Sequence, residues 1–296
     1  MKVSIIGSNS FVAGAIGEYC NINKINVHAY GRSLPKKYYC SKFSKLDLLV
    51  DDIDLSDMID SDLIIYAAGA GIQSNRKENF SEIFKLNVSS PINIFKSLDD
   101  ADYKGSFVTF GSAFEVGVTT ANHKMTEVDV LTSLADAPSD YVVTKRMLSR
   151  FISSANAGFN YYHFILPSVY GASELPHRII RYTVDAIKNK EELHFTSGEQ
   201  IRHYLHVSDI PGFIVEADRL AIESGVYNIP GTEALSVRQV VEKIHRYFEI
   251  DVPENCFGAV TRADVSMKCL MLDGNKLFKA LNIRPSIKLD SILYTY

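Results

Sequence analysis

Lys2-Val-Ser-Ile-Ile-Gly7, continuing through Ser8-Asn-Ser-Phe-Val-Ala-Gly14 into an amphipathic run from Ala15 to Cys20, is the stretch on which the reading of the fold turns. A short apolar run that stops at a glycine and passes through small residues into a helical pattern reads as strand, tight turn and helix start. Such a turn aims a helix N-terminus, with its free N–H groups, at whatever lies beyond the strand end, and a phosphate suits that position. A dinucleotide turn needs glycines for the turn itself, for close approach of the pyrophosphate and for helix–strand packing. In the spacing GxxGxxG, Gly7 fills the first place, and Ser10 and Ala13 fill the second and third. Both are small, so backbone can still approach a phosphate. Taken alone the stretch also fits an ordinary strand–helix turn, and only the rest of the chain decides between the two.

Ile25 to Tyr30 reads as a second strand, followed at once by Gly31-Arg32-Ser33. An acidic residue there would hold a free ribose 2′-hydroxyl, whereas an arginine accommodates a 2′-phosphate. Arg32 therefore favours NADPH over NADH, the alternative being a solvated loop arginine. Asp47, Asp51 and Asp54 could each follow a third strand, and the pattern does not choose among them. Asp62 to Gly69 is a continuous apolar strand of the kind parallel sheets bury, ending in the small residues Ala67, Ala68 and Gly69. Phe80 to Leu98 reads as a helix carrying Asn87, and an interior asparagine there is ordinarily a core or loop-bracing residue. Gly105 to Ser112 is another buried strand. A serine just past a strand's C-terminal end lies where open α/β sheets place ligands.

Tyr141-Val-Val-Thr-Lys145 lies on a helix beginning near Ser139. At i, i+4 the two side chains share one helix face. A free tyrosine has a pKa of about 10, and a nearby ammonium favours the phenolate and lowers it. A tyrosine so tuned can pass a proton to or from a carbonyl or alcohol oxygen. The plain alternative is a surface contact on an amphipathic helix. Phe159 to Leu166 is a further strand, running on to Val169-Tyr-Gly171. Beyond Gly171 the segments are shorter and mixed: helices over Leu175–Lys188, Ile210–Ala221 and Ser236–Phe248, and a strand at Gly225–Gly231.

The chain has 296 residues, 46% of them hydrophobic, enough for a sizeable core and one large α/β domain or a domain with an appendage. A net charge of −4 offers no basic footprint for nucleic acid. Cys20, Cys40, Cys256 and Cys269 lack CxxC spacing and read as free thiols, with no metal site. No apolar run approaches the roughly 20 residues of a membrane span. With no signal-like start, a cytoplasmic protein is the expectation.

The order of these motifs resembles that of the extended short-chain dehydrogenase/reductases of the NAD-dependent epimerase/dehydratase family. The match runs from Gly7 through Ala67-Ala68, Asn87, Ser112, Tyr141/Lys145, Val169-Tyr170-Gly171 and Ile201-Arg202-x-Tyr204-x-His206-Val207-x-Asp209 to about Pro285. The resemblance implies an α/β fold, a doubly wound parallel (Rossmann) sheet over 1–171 with parts of 201–231 returning to it, and a smaller nucleotide-sugar lobe mainly over 172–296. It implies Ser112, Tyr141 and Lys145 as catalytic residues. Around the cofactor it implies Gly7, Ser10, Phe11, Val12, Arg32, Ala67, Ala68, Gly69, Asn87, Leu166 and Val169 beside Tyr141 and Lys145. For the substrate it implies Ser112, Ala113 and Phe114 at the sugar, with Arg202 and Arg262 on the diphosphate, where guanidinium groups form paired charge-assisted bonds.

Departures narrow the reaction. The family's 4,6-dehydratases carry Thr-Asp-Glu at the catalytic-serine position, whereas this chain has Ser112-Ala113-Phe114, with Glu115 one place further on. His203 stands in place of an aspartate, and Ile165 in place of an arginine. The chain looks most like the CDP-abequose/paratose synthase type of 4-ketoreductase: an NADPH-dependent reductase of a 4-keto-6-deoxy nucleotide sugar, supplying a deoxyhexose for surface polysaccharide such as O-antigen. A nucleotide-sugar epimerase, or a bifunctional enzyme using His163, His177 or His203 as an extra acid/base, is the alternative. A non-catalytic NADP-binding module is the third. A homodimer is expected, through the helices bearing Asn87 and Tyr141.

Overall fold

The computed structural model describes residues 1–71, 79–260 and 267–296. The chain opens with β1 (Lys2–Ile6), α1 (Phe11–Ile22), β2 (Asn26–Gly31), β3 (Lys42–Lys45) and β4 (Leu63–Tyr66). Next come α2 (Phe80–Phe84), α3 (Ser90–Asp100), β5 (Ser106–Ser112), α4 (Glu127–Thr132), α5 (Asp140–Ser153) and β6 (Asn160–Leu166). The remainder holds β7 (Ser168–Tyr170), α6 (Ile179–Asn189), β8 (Ile201–His206), α7 (Ile210–Leu220), β9 (Gly225–Asn228), β10 (Glu233–Ser236), α8 (Val237–Tyr247), β11 (Cys269–Leu270) and α9 (Asn275–Leu281).

A seven-stranded sheet runs β3-β2-β1-β4-β5-β6-β9, every pairing parallel. Its first six strands follow the doubly wound order, which reverses between β1 and β4 and leaves a crevice beyond their C-terminal ends. Because strand side chains alternate, Val3 and Ile5 face one layer, with Ile16 of α1 and Phe213 of α7, while Ile6 and Ile64 face the other, with Phe95 of α3 and Ile152 of α5. A second sheet takes β8 as its centre, flanked by β10 antiparallel and β11 parallel, with β7 also parallel to β8. Helices α6 and α8 cover it through Ile180, Val184, Val240 and Ile244. One residue, Pro167, separates β6 in the first sheet from β7 in the second.

Leu277 and Leu281 of α9 pack back into the core of the main sheet. Helix α6 begins later than its apolar pattern suggests: Leu175–Arg178 form a turn, Arg178 N–H donating to the Leu175 carbonyl at 2.9 Å, and Arg178 is the N-cap. The expected long helix over Phe80–Leu98 is interrupted by a π-turn at Lys85–Ser89. Pro91 accounts for it: its ring collides with the carbonyl four residues back, that of Asn87, and one wider turn relieves the collision. Among the described residues no helix is long and apolar enough to cross a membrane.

Candidate functional site

A cleft of about 960 Å³ lies beyond the C-terminal ends of the main sheet's strands, reaching from Arg32 at one end to Ser112 at the other. Its floor is set by close backbone approach. Gly7 has φ +89°, and a Cβ there would sit 2.6 Å from the Ala68 nitrogen, so only glycine fits. Ser10 caps α1, its hydroxyl accepting from the Ala13 N–H at 3.2 Å. Ser10, Phe11 and Val12 line the cleft, so the positive end of α1 faces it. Ala67, Ala68 and Gly69 also line it, Ala67 and Ala68 lying directly against Gly7.

At the β2 end the cleft carries three cations, with the carboxylates of Glu18 and Asp47 also in its lining. Exposed Arg32 lines it, and so do Lys36 and Lys37, which no sequence motif marks. The last residue of β2 is Gly31, where a Cβ would lie 2.3 Å from Ser8 Oγ. No carboxylate fits there while Ser8 stays in place. Ser8 is held by donating its hydroxyl to the Ser33 carbonyl at 3.1 Å. Asn9 fixes the loop, its amide donating to the Ser33 and Leu34 carbonyls while its oxygen accepts from the Lys36 N–H. Of the three acidic candidates beyond the third strand, Asp47 follows β3 most closely and lines the cleft.

At the other end Ser112, Phe114, Tyr141 and Lys145 line the same cleft, with Leu166 and Val169 beside them. Ser112 ends β5 and pairs in register with Leu166 of β6. Tyr141 lies in the first turn of α5, whose N-cap Ser139 accepts from the Val142 N–H. Burial pushes the Tyr141 phenol up to about 12; the Ser112 hydroxyl hydrogen-bonded to it pulls down, the Glu115 charge pushes up and the Arg178 guanidinium pulls down. Lys145 was expected to supply that downward pull. Instead its ammonium turns inward and donates to the Phe110 carbonyl at 2.8 Å, 5.9 Å from the Tyr141 ring centre. Burial lowers Lys145 to about 8, and Glu115 works against that fall.

Other expected residues stand elsewhere. Asn87 is buried and does not line the cleft. Its oxygen accepts from the Ala70 N–H, and its amide donates to the Ala70 carbonyl and to Thr144 Oγ1, each at 3.0 Å, so it braces the loop after β4. Ala113 is buried behind Ser112 and does not line the cleft. Arg202 is buried in β8, Nη1 donating to the Ile201 carbonyl at 2.9 Å, and is not among the cleft-lining residues. Arg262 lies outside the described residues. His163 and His203 are buried in protein hydrogen bonds, His203 Nδ1 accepting from the Leu272 N–H at 3.1 Å.

The cleft also takes in Glu174 and Arg178 from the segment before α6, and Ile292, Tyr294 and Thr295 from the chain's last turns. Arg178 Nη2 donates to the Val169 carbonyl at 2.8 Å, and Tyr296 Oη donates to Glu174 Oε1 at 2.7 Å. Burial raises Glu174 to about 7. A charged pair just upstream of a helix was a usable signal for this wall, whereas no periodicity marks the terminal turns.

The dimensions and lining of the cleft suit a dinucleotide: a glycine turn and helix N-terminus in the middle, cations at one end and a hydroxyl–phenol–ammonium set at the other. Solved structures share the architecture over the whole chain. MoeE5 in complex with UDP-glucose and NAD superposes with a TM-score of 0.81 at 20% identity, covering 100% of this chain and 97% of that one. WbmG of Bordetella bronchiseptica in complex with NAD gives 0.79 at 16% identity, covering 100% and 92%. A UDP-glucose 4-epimerase of Thermotoga maritima with UDP-glucose gives 0.78 at 17% identity, covering 100% and 97%. No curated protein matches by sequence. The profile of the NAD dependent epimerase/dehydratase family matches residues 3–229, which span the glycine turn, Ser112 and the Tyr141/Lys145 helix, and the chain belongs to that family.

Proposed function

We propose that the protein is an NADPH-dependent reductase of a 4-keto-6-deoxy nucleotide sugar, yielding an activated deoxyhexose. One observation carries the reading: Ser112, Tyr141 and Lys145 converge on a cleft whose far end presents Arg32, Lys36 and Lys37 around a glycine that leaves no room for a carboxylate. Three cations there suit a ribose 2′-phosphate. Ser10 to Val12 would hold the pyrophosphate, and Tyr141 and Lys145 the nicotinamide ribose. The bound dihydronicotinamide supplies a hydride to the sugar's carbonyl carbon. The Ser112 hydroxyl orients the carbonyl oxygen, and Tyr141 gives that oxygen its phenolic proton. The Ser112 hydrogen bond and the Arg178 guanidinium favour the phenolate left behind.

Dehydration is disfavoured because Ala113 and Phe114 offer neither acid nor base, and the Glu115 carboxyl is turned away from the cleft, accepting the Ser112 N–H at 2.7 Å. The second sheet, with α6 and α8, would form the sugar-nucleotide lobe. A homodimer would use the α2 and α5 surfaces, where Phe80 and Met147 are exposed, while Phe95 is committed to the core.

The test mixes purified protein and NADPH with CDP-, dTDP-, GDP- and UDP-linked 4-keto-6-deoxy sugars and follows cofactor oxidation by near-ultraviolet absorbance. Oxidation with one of them is the expected result. Oxidation with none overturns the reading, and interconversion of sugars without net cofactor consumption would make the protein an epimerase.

A further inference from the structure

Among the described residues, five lysine and arginine side chains line the cleft: Arg32, Lys36, Lys37, Lys145 and Arg178. The first three stand at the β2 end, and Lys145 turns inward to the Phe110 carbonyl at 2.8 Å. Arg178 is the cation that remains at the catalytic end, where its charge reaches Tyr141. The family resemblance implies other residues for a substrate diphosphate, Arg202 and Arg262. Arg202 is buried in β8 and is not among the cleft-lining residues, and Arg262 lies outside the described residues.

The Arg178 guanidinium is held from behind and left open in front. Nη2 donates to the Val169 carbonyl at 2.8 Å. Nε stands 3.8 Å from Glu174 Oε2, close enough for attraction and too far for a hydrogen bond. Glu174 is itself fixed, Oε1 accepting from Tyr296 Oη at 2.7 Å and from the Arg181 N–H at 3.2 Å. Arg181 serves the scaffold instead: Nε donates to Asp185 Oδ2 at 2.6 Å and Nη1 to the Ala172 carbonyl at 3.2 Å, and it does not line the cleft. A guanidinium has five N–H donors. Among the described residues, one of those on Arg178 is in a hydrogen bond, while the side chain stays 33% exposed.

We propose that Arg178 binds the diphosphate of the substrate, using the N–H groups that the protein leaves open. This rests on the nucleotide-sugar reading above. The position fits the connectivity of such a substrate. Arg178 caps α6, which covers the second sheet, and its side chain reaches across to β7 beside the cofactor wall. A linkage from a sugar at Tyr141 to a nucleoside on the second lobe passes between these elements. The chemistry fits as well. A diphosphate leaving water needs a cation or donors in exchange, and a guanidinium offers paired N–H groups to two phosphate oxygens. Glu174 offsets part of the Arg178 charge without occupying those donors, and the Val169 carbonyl and Glu174 together set the direction in which they point.

The test is calorimetric titration of the intact protein, saturated with NADPH so that the cofactor end is filled. The probes are UDP, CDP, dTDP and GDP and the matching nucleoside monophosphates. For the base that the wild type binds best, the diphosphate should bind more tightly than the monophosphate. In Arg178→Met the diphosphate should weaken by about ten-fold or more, and the preference over the monophosphate should shrink accordingly. Arg178→Lys keeps the charge without the fork and should fall between the two. NADPH affinity, titrated separately, should stay within about two-fold of the wild type in both variants. A wild type that binds no nucleoside diphosphate overturns the proposal. So does an unchanged diphosphate affinity in Arg178→Met or, should that variant fail to fold, in Arg178→Lys. A loss of NADPH affinity with diphosphate affinity intact would assign Arg178 to the cofactor's pyrophosphate and overturn it as well. These titrations involve no hydride transfer, so failure of every sugar to oxidise NADPH would defeat the reductase reading alone.

Discussion

Asn87 Nδ2 donates to Thr144 Oγ1 at 3.0 Å and so joins the π-turn after α2 to the helix that carries Tyr141. Thr144 in turn donates to the carbonyls of Asp140 and Tyr141, and the same Asn87 side chain pairs with both backbone groups of Ala70. One amide thus fixes the loop flanking the cofactor cleft against the first turn of α5. Asn87→Ala leaves buried backbone groups of Ala70 unpaired, at a cost of about 3 kcal/mol. Calorimetry should show a clearly lower Tm together with weakened NADPH binding; a Tm equal to the wild type would mean that water or a rearranged loop replaces the amide.

Tyr141→Phe removes the phenolic proton but keeps the ring. A general acid contributes roughly 10²–10⁴-fold, so kcat should fall by about that factor while NADPH affinity, measured by fluorescence titration, stays within about two-fold. Retained turnover would assign the acid to another group.

Arg32, Lys36 and Lys37 make a graded prediction for cofactor choice. A hydrogen bond to a charged group contributes about 1.5–3 kcal/mol. Arg32→Ala should therefore raise the Kd for NADPH by about ten-fold or more and leave that for NADH nearly unchanged. Adding Lys37→Ala should bring the two affinities close together. Equal weakening of both cofactors by Arg32→Ala would mean that Arg32 meets no 2′-phosphate.

Gly111→Ala tests the space beneath β5. Its Cβ would lie 2.4 Å from Ile165 Cδ1 and 2.6 Å from Glu115 Oε1 and His163 Nε2. Overpacking of this kind costs about 1–3 kcal/mol. Chemical denaturation should show the loss at an unchanged m-value, and full stability would mean that the surrounding side chains yield without cost.

The pH dependence of stability follows from His163. Its folded pKa, about 3, lies below the ordinary 6.5, so the folded protein binds fewer protons than the unfolded chain in that window. The stability it contributes is fully present above 6.5 and is lost as pH falls toward 3. His163→Gln keeps polar ends for Ser149 and Thr109 but takes up no proton. Urea unfolding across the window should therefore show a steeper acid loss in the wild type than in the variant. Parallel curves would place the acid sensitivity elsewhere, for instance at His28 or His203, which burial also pushes down, each to about 4.

The sheet order and much of the site were legible because they rest on local patterns. Buried parallel strands are continuous apolar runs, and Gly7, Ala67-Ala68-Gly69 and Ser112 are small residues at their ends. The edge strand β3 was not, since Lys42-Phe-Ser-Lys45 is half exposed and has no apolar period. The π-turn had a marker in Pro91, but a proline alone does not say whether a helix stops, kinks or widens. Lys36 and Lys37 sit in an irregular loop, where nothing in the spacing says which way a side chain points. The Thr109–His163–Ser149 chain joins residues of β5, β6 and α5 that are 54 and 14 positions apart, so it exists only once three elements are packed.

Pro167 has a mechanical consequence. With β6 ending at Leu166 and β7 starting at Ser168, the link between the two sheets is one residue whose φ the ring fixes. Arg178 adds a strut to the Val169 carbonyl immediately beyond it. A joint so short and stiff leaves the two sheets little freedom to shift against each other there. Leu166 and Val169, which both line the cleft, sit on either side of that joint, so its stiffness fixes the spacing of this part of the wall.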